Sequence, residues 1–183
     1  MKCYYESHPD ALAYIYHLAR AQDVYFTPEK LKRIHYLIFQ ETEPEKAGKY
    51  REGEMKVGDF SPPSPASVPS LMEDLCLWLN LPQTKKRHPV EVAALAYYQL
   101  MNIHPFHDGN GRVAHFLYNL YLLSYNYPFT DIPDGWKVEL YKSLRSADEG
   151  DFEPIIRFIS RCVHKALREH IQGITVDYSR GKK

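Results

Sequence analysis

Residues 104–112, His-Pro-Phe-His-Asp-Gly-Asn-Gly-Arg, lie between two stretches of helical period, and this leaves the chain few ways to fold around them. Downstream, Val113, Phe116, Leu117, Leu120 and Leu123 recur at i, i+3, i+4 and i+7 and line one helix face. Upstream, His88-Pro89 introduces the apolar segment Val90, Val92, Ala93, Ala94, Leu95, Ala96 and Leu100, with proline in its favoured place near a helix start. Asp108-Gly109 and Asn110-Gly111 are strong hairpin signals on their own, but a hairpin needs alternating flanks and these are helical. The run therefore predicts helix, tight glycine loop, helix. Such a loop aims exposed amides and the positive end of a helix dipole at one spot, which suits an anion.

Most other periodic segments are helical too, so the fold class expected is all-α, a helical bundle. Ser7-His8-Pro9-Asp10 opens a helix carrying Leu12, Ile15, Tyr16 and Ala19. Thr27-Pro28-Glu29 opens a second, with an N-cap, a first-position proline and an early acid; Leu31, Ile34 and Ile38 mark its buried face. Leu71, Leu75, Trp78 and Leu79 define a third, and a later one runs from about Gly135 through Val138, Tyr141 and Leu144. Asp151 caps the last, which holds Ile155, Ile156, Ile159, Val163 and Leu167. The exception is 48–69. There Lys49-Tyr50-Arg51 and Met55-Lys56-Val57 read as two short strands turning at Glu52-Gly53-Glu54, followed by the extended Ser61-Pro62-Pro63-Ser64-Pro65. A connection this long in a compact domain points to a binding element.

The 183 residues fit one domain, 1–183, with a core from about 8 to 172 and a solvated tail over 173–183. Lysine plus arginine equal aspartate plus glutamate, 23 against 23, so no broad electrostatic grip on nucleic acid or a membrane surface is expected. No apolar stretch is long enough to span a bilayer, and the first residues lack the apolar core of a signal peptide. Cys3, Cys76 and Cys162 are too few and too scattered for a disulfide framework or a zinc site. A cytoplasmic setting is the expectation, although an effector secreted into a host cytosol would have the same composition.

The residue types in the loop define a chemistry. A polyphosphate lying on the amides of Gly109, Asn110 and Gly111 meets Arg112, whose guanidinium forks onto phosphate oxygens. Asp108 is placed to hold a Mg²⁺ ion, which commonly takes one or two carboxylates and completes its shell from substrate oxygens and water. His104, titrating near neutrality, suits a general base for an incoming hydroxyl. The set predicts phosphoryl or nucleotidyl transfer to an alcohol by positioning and charge neutralisation.

The run also resembles the motif of the Fic family, His-Pro-Phe-x-(Asp/Glu)-Gly-Asn-Gly-Arg, at every fixed position. The resemblance covers most of the chain. Gly48-Lys49-Tyr50-Arg51 and Pro62-Pro63 look like the borders of that family's flap, and His88-Pro89-Val90-Glu91 looks like the opening of its helix before the motif. Ala147-Asp148-Glu149-Gly150-Asp151 and Pro154-Ile155-Ile156-Arg157-Phe158-Ile159 look like its C-terminal region.

The resemblance implies a helical bundle with a short β-hairpin flap, and transfer of AMP from ATP to a serine, threonine or tyrosine hydroxyl of a target protein. It implies His104 as base, Asp108 as Mg²⁺ ligand, Gly109, Asn110 and Gly111 on the α- and β-phosphates, and Arg112 on the β-phosphate. It puts Tyr141 beside the base pocket and Asp148 where relatives often have an asparagine that reads adenine. The flap, roughly 52–60 and centred on Glu54, Met55, Lys56, Val57 and Gly58, is implied to hold the target by strand addition. The family motif usually continues to a second arginine, and here that position is His115, on the same face as Arg112 and expected toward the phosphates. No Ser/Thr-x-x-x-Glu-Gly/Asn inhibitory motif is found, since Gly48 and Arg145 stand at the required places.

Rival readings are a metal-dependent phosphohydrolase of the HD type built on His107-Asp108, transfer of another nucleotide or of phosphate, and an inactive nucleotide-binding module. Self-association and self-modification stay open.

Overall fold

The computed structural model describes residues 7–21 and 24–180, with side chains to residue 173. Cys3 and the end of the basic tail, Gly181 to Lys183, lie outside the described residues. Among the described residues eight α-helices follow one another: α1 (Pro9–Ala19), α2 (Pro28–Phe39), α3 (Val68–Asn80), the single turn α4 (Pro82–Lys85), α5 (Pro89–Ile103), α6 (Asn110–Ser124), α7 (Lys137–Asp148) and α8 (Glu153–Arg180).

Their starts follow local chemistry. Thr27 Oγ1 accepts from the Lys30 amide at 3.3 Å and Pro28 takes the first position of α2. Asp151 Oδ1 accepts from the Glu153 amide at 3.1 Å and opens α8. Helix α4 opens at Pro82, after Leu81, and escapes periodicity because one turn is too short to show any.

Helix α6 is the axis of the bundle. Asn110 and every residue from Val113 to Leu122 are buried, so it has no solvent face, the mark of a central helix. Helix α5 packs along it as a hairpin partner, with α1 and α2 on another side and α8 against α5. The end of α5 and the start of α6 are therefore fixed by the deepest packing in the molecule, and the loop 104–109 spans them. Among the described residues no helix is long and apolar enough to cross a membrane.

Two local expectations need correction. The pair of strands at 49–51 and 55–57 does not form. The Arg51 amide donates to Pro105 O at 2.9 Å, which ties this stretch to the motif loop rather than to 55–57. What exists is a single antiparallel bridge between Val57 and Phe60, closed by two hydrogen bonds of 2.9 and 3.1 Å around Gly58 and Asp59. Gly58 takes φ +61°, so the turn sits at the residue best able to adopt it and not at Glu52-Gly53-Glu54. On α7, Val138 and Tyr141 are exposed; the buried face is Leu140, Ser143 and Ala147.

Candidate active site

Helix α5 ends by turning left-handed at His104 (φ 50°, ψ 58°), a conformation uncommon for a residue with a Cβ and costing about 1–2 kcal/mol. The bend is anchored from both sides. The His104 amide completes the helix on Leu100 O at 2.9 Å, and its carbonyl accepts from Arg51 Nε at 2.8 Å. The imidazole Nδ1 lies 3.2 Å from Met101 O. A carbonyl can only accept, so Nδ1 carries the proton and Nε2 presents its lone pair. Burial lowers the His104 pKa; the Met101 bond and the Asp108 charge oppose this, while Arg51 adds to it. The ring is neutral at pH 7.

Beyond it the loop is sewn shut from within. The Asn110 side chain accepts from the Phe106 amide and donates to the Phe106 carbonyl, both at 2.8 Å, so it faces the loop interior. Phe106 is fully buried and stacks on His35 at 4.0 Å, whose other neighbour is Phe39 at 4.7 Å. His35 Nδ1 accepts from the Gly48 amide at 2.9 Å, so Nε2 bears the proton and donates to Asp108 O at 3.1 Å. Gly109 takes φ +76°, and a Cβ there would fall 2.3 Å from the Phe39 ring. Asp108 Oδ1 accepts from the Gly109 amide at 2.6 Å, and Oδ2 pairs with Arg112 Nη2 at 2.9 Å. Arg112 also stacks over Phe39, 4.2 Å from the ring centre.

His35 predicts a measurable acid lability. Burial drives its pKa from 6.5 to about 4, against the pull of the Asp108 carbonyl. The unfolded chain takes this proton first, so the contribution is complete above pH 6.5 and drains as pH falls toward 4, by up to about 3 kcal/mol. Denaturant unfolding at pH 7, 5 and 4 should show His35→Gln with a shallower loss than the wild type; parallel losses would refute it.

His104 also opens on a cavity of about 550 Å³. Tyr141 and Asp148 from α7, Tyr98 and Asn102 from α5, and Val57 and Gly58 from the turn share its lining. Asn102 Nδ2 donates to Asp148 Oδ1 at 3.2 Å and reaches Tyr98 Oη at 3.4 Å. The Tyr98 pKa is pushed up to about 12, first by burial and then by the charge and hydrogen bond of Asp148. Glu54, Met55 and Lys56 are not among the lining residues, nor are Asp108 to Arg112. His104 is where cavity and glycine loop meet.

His115 departs from its expected place. It is completely buried, edge-on to Tyr118 at 4.8 Å and 5.7 Å from Phe129, with Nε2 3.8 Å from Asp131 Oδ1. The cause is the loop above it: Asn119 accepts from the Thr130 amide at 2.7 Å and donates to the Thr130 carbonyl at 2.9 Å, which Tyr118 also reaches. That clamp lays residues 128–131 over His115, and burial pulls its pKa well below 6.5. With no exposed surface, it is not open to a ligand in this arrangement.

Of the rival sites, His107 is exposed, and no cluster of three or more His, Cys, Asp or Glu fit for a metal occurs among the described residues. Asp108 as a lone, half-open carboxylate fits a Mg²⁺ ion that arrives with phosphate oxygens, not one bound by protein alone. Sequence reasoning missed His35, Tyr98 and Asn102, and saw Arg51 only as part of a segment bordering the flap. The one signal available was for His35, which falls on the buried face of α2 four residues after Leu31 and four before Phe39.

A left-handed histidine, an amide-rich loop at a buried helix start and a turn lining the same cavity define a helical domain with one composite candidate site. The Fic/DOC family profile matches residues 25–122, more than half of the chain, and the chain belongs to that family. The protein adenylyltransferase Fic of Drosophila mojavensis is 38% identical over 157 residues, 86% of this chain and 31% of that protein. Fic-1 from C. elegans superposes with a TM-score of 0.84 at 28% identity, covering 93% of this chain and 51% of that one. A Fic domain containing signaling protein from Bacteroides thetaiotaomicron gives 0.81 at 28% identity over 89% of this chain and 68% of that one. The chain spans about a third of the length of the curated relatives it matches. The family match replaces the HD reading.

Proposed function

We propose that this domain transfers AMP from ATP to a hydroxyl side chain of a protein, releasing pyrophosphate. The observation that carries the reading is the His104 tautomer: Nδ1–H held by Met101 O leaves Nε2 as the acceptor, beside a glycine loop at the start of α6. In this reading His104 Nε2 takes the proton of the hydroxyl as its oxygen attacks the α-phosphorus. The first-turn amides of α6, from Asn110 and Gly111 onward, have no partners within the helix and bind phosphate oxygens, as Gly109 does once Asp108 leaves it. Arg112 carries negative charge of the β-phosphate. A Cβ at Gly111 would meet nothing within 4 Å, so packing does not require glycine there, whereas a phosphate passing close by would.

Asp108 is the residue to hold Mg²⁺, which would supply charge neutralisation across the phosphates. Tyr141 and Asp148 border the base, and Val57 and Gly58 offer backbone to a target segment. His115, buried under residues 128–131, takes no part.

One observation favours a second reading, transfer from a nucleotide with another base. Both Asn102 amide hydrogens and the Tyr98 hydroxyl point within the Tyr98–Asn102–Asp148 cluster, so that wall offers acceptors and suits a base edge rich in donors. The test is incubation with Mg²⁺, lysate protein and ATP labelled at the α or the γ position, with α-labelled GTP alongside. Protein label from α-ATP is the expected result. Label from γ-ATP alone would rule out nucleotidyl transfer, and label from GTP alone would move the reading to the second base.

A further inference from the structure

Arg51 is an arginine 5% exposed, and it donates to main-chain carbonyls from three places in the chain. Nε reaches His104 O at 2.8 Å, Nη1 reaches Gly53 O at 3.2 Å, and Nη2 reaches Pro63 O. Its own amide adds the bond to Pro105 O. Gly53 and Pro63 are the two feet of the segment that carries Val57, Gly58 and Phe60 over the cavity. His104 O belongs to the left-handed turn that aims the imidazole. One planar group therefore draws together both ends of the overhanging segment and the backbone of the histidine beneath it.

The chemistry explains why arginine is used. A guanidinium offers five N–H donors in a rigid plane and can hold three carbonyls in fixed directions, whereas an ammonium concentrates its donors at one point. Burying a cation is costly unless its donors are satisfied, and carbonyl dipoles meet that need here. The segment itself has little else to hold it: one bridge, with Glu52, Gly53, Glu54, Lys56, Gly58 and Asp59 all exposed. Its height over His104 must come from its feet.

We propose that Arg51 is a positioning residue that moors the 54–62 flap to the His104 turn, so that a target segment docked on the flap delivers its hydroxyl to Nε2. The inference rests on the transfer reading above. It places the coupling between target binding and the base in a side chain that touches neither substrate.

The test compares wild type with Arg51→Lys, which keeps the charge and loses the fork, and Arg51→Met, which loses both. Hydrogen exchange should quicken about tenfold or more for amides of residues 54–60, 104 and 106 in the lysine variant, with the middles of α5 and α6 unchanged. Binding of a non-hydrolysable ATP analogue with Mg²⁺ should stay within about twofold, while kcat for transfer to protein falls roughly 10- to 100-fold, as expected when reacting groups are misplaced by an ångström or so. Unchanged flap exchange in the lysine variant overturns the proposal, as does a kcat equal to wild type. Nucleotide affinity falling in step with transfer also overturns it, by making Arg51 a general support of the site. If the wild type transfers nothing, the functional reading fails, and the exchange measurement alone still decides whether Arg51 moors the flap.

Discussion

Replacing His104 by alanine should reduce label transfer from α-labelled ATP by about 10²- to 10⁴-fold, the range for removing a positioned general base. Nucleotide affinity should change little, because the phosphates are assigned to the loop and the start of α6. Melting should also change little: the Leu100 and Arg51 bonds to residue 104 are made by its backbone and survive the substitution. The acid side of the pH–rate profile should lie below 6.5, since burial lowers the pKa of this ring. Calorimetry with a non-hydrolysable ATP analogue, thermal melts and initial rates between pH 5 and 8 separate these effects. A variant that transfers at the wild-type rate would remove His104 from the mechanism altogether.

The second large effect is structural. Gly109→Ala puts a Cβ 2.3 Å from Cε2 and 2.8 Å from Cζ of Phe39. That ring cannot swing away freely, with His35 stacked at 4.7 Å and the Arg112 guanidinium 4.2 Å over its centre. The left-handed backbone costs an alanine about 1–2 kcal/mol, and displacing packed rings adds about 1–3. Summed at roughly 2–5 kcal/mol, this predicts a fall in Tm of roughly 6–15 °C for a chain of this size, together with loss of nucleotide binding. Gly111→Ala is the matched control. With open space around its Cβ and a helical site, it should leave Tm unchanged or raise it by the equivalent of up to about 1 kcal/mol. Equal melting of the two alanine variants would show that the Phe39 contact does not constrain the loop.

What could be read from the sequence follows from the range of the forces involved. Helix starts at Pro28 and Glu153 rest on contacts two or three residues long, and periodicity exposes the burial of α6 directly. The motif run announces its loop because its glycines and flanks are adjacent in the chain. Arg51 reaches His104 and His35 reaches Asp108 across 53 and 73 residues, and no local pattern encodes such a bond. The burial of His115 has a related cause. Its i, i+3 relation to Arg112 fixes a helix face, but the clamp between Asn119 and Thr130 decides whether that face meets solvent or loop. The hairpin is absent because the Arg51 amide pairs with Pro105 O of the motif loop rather than with 55–57, another contact far apart in the chain.

The carboxylate of Asp108 sits against the Gly109 amide and Arg112, two of the groups assigned to phosphate. At rest, then, the pocket holds an anion of its own, tethered by a single covalent arm. A stray sulfate or orthophosphate meets a cation already balanced and an amide already satisfied, and would have to evict a competitor of very high local concentration. A polyphosphate escorted by a divalent ion would not meet this competition, because Asp108 would hold the ion instead. On the proposed reading, discrimination between a nucleotide–metal complex and the free anions of a crowded cell would begin at Asp108, before the base is read.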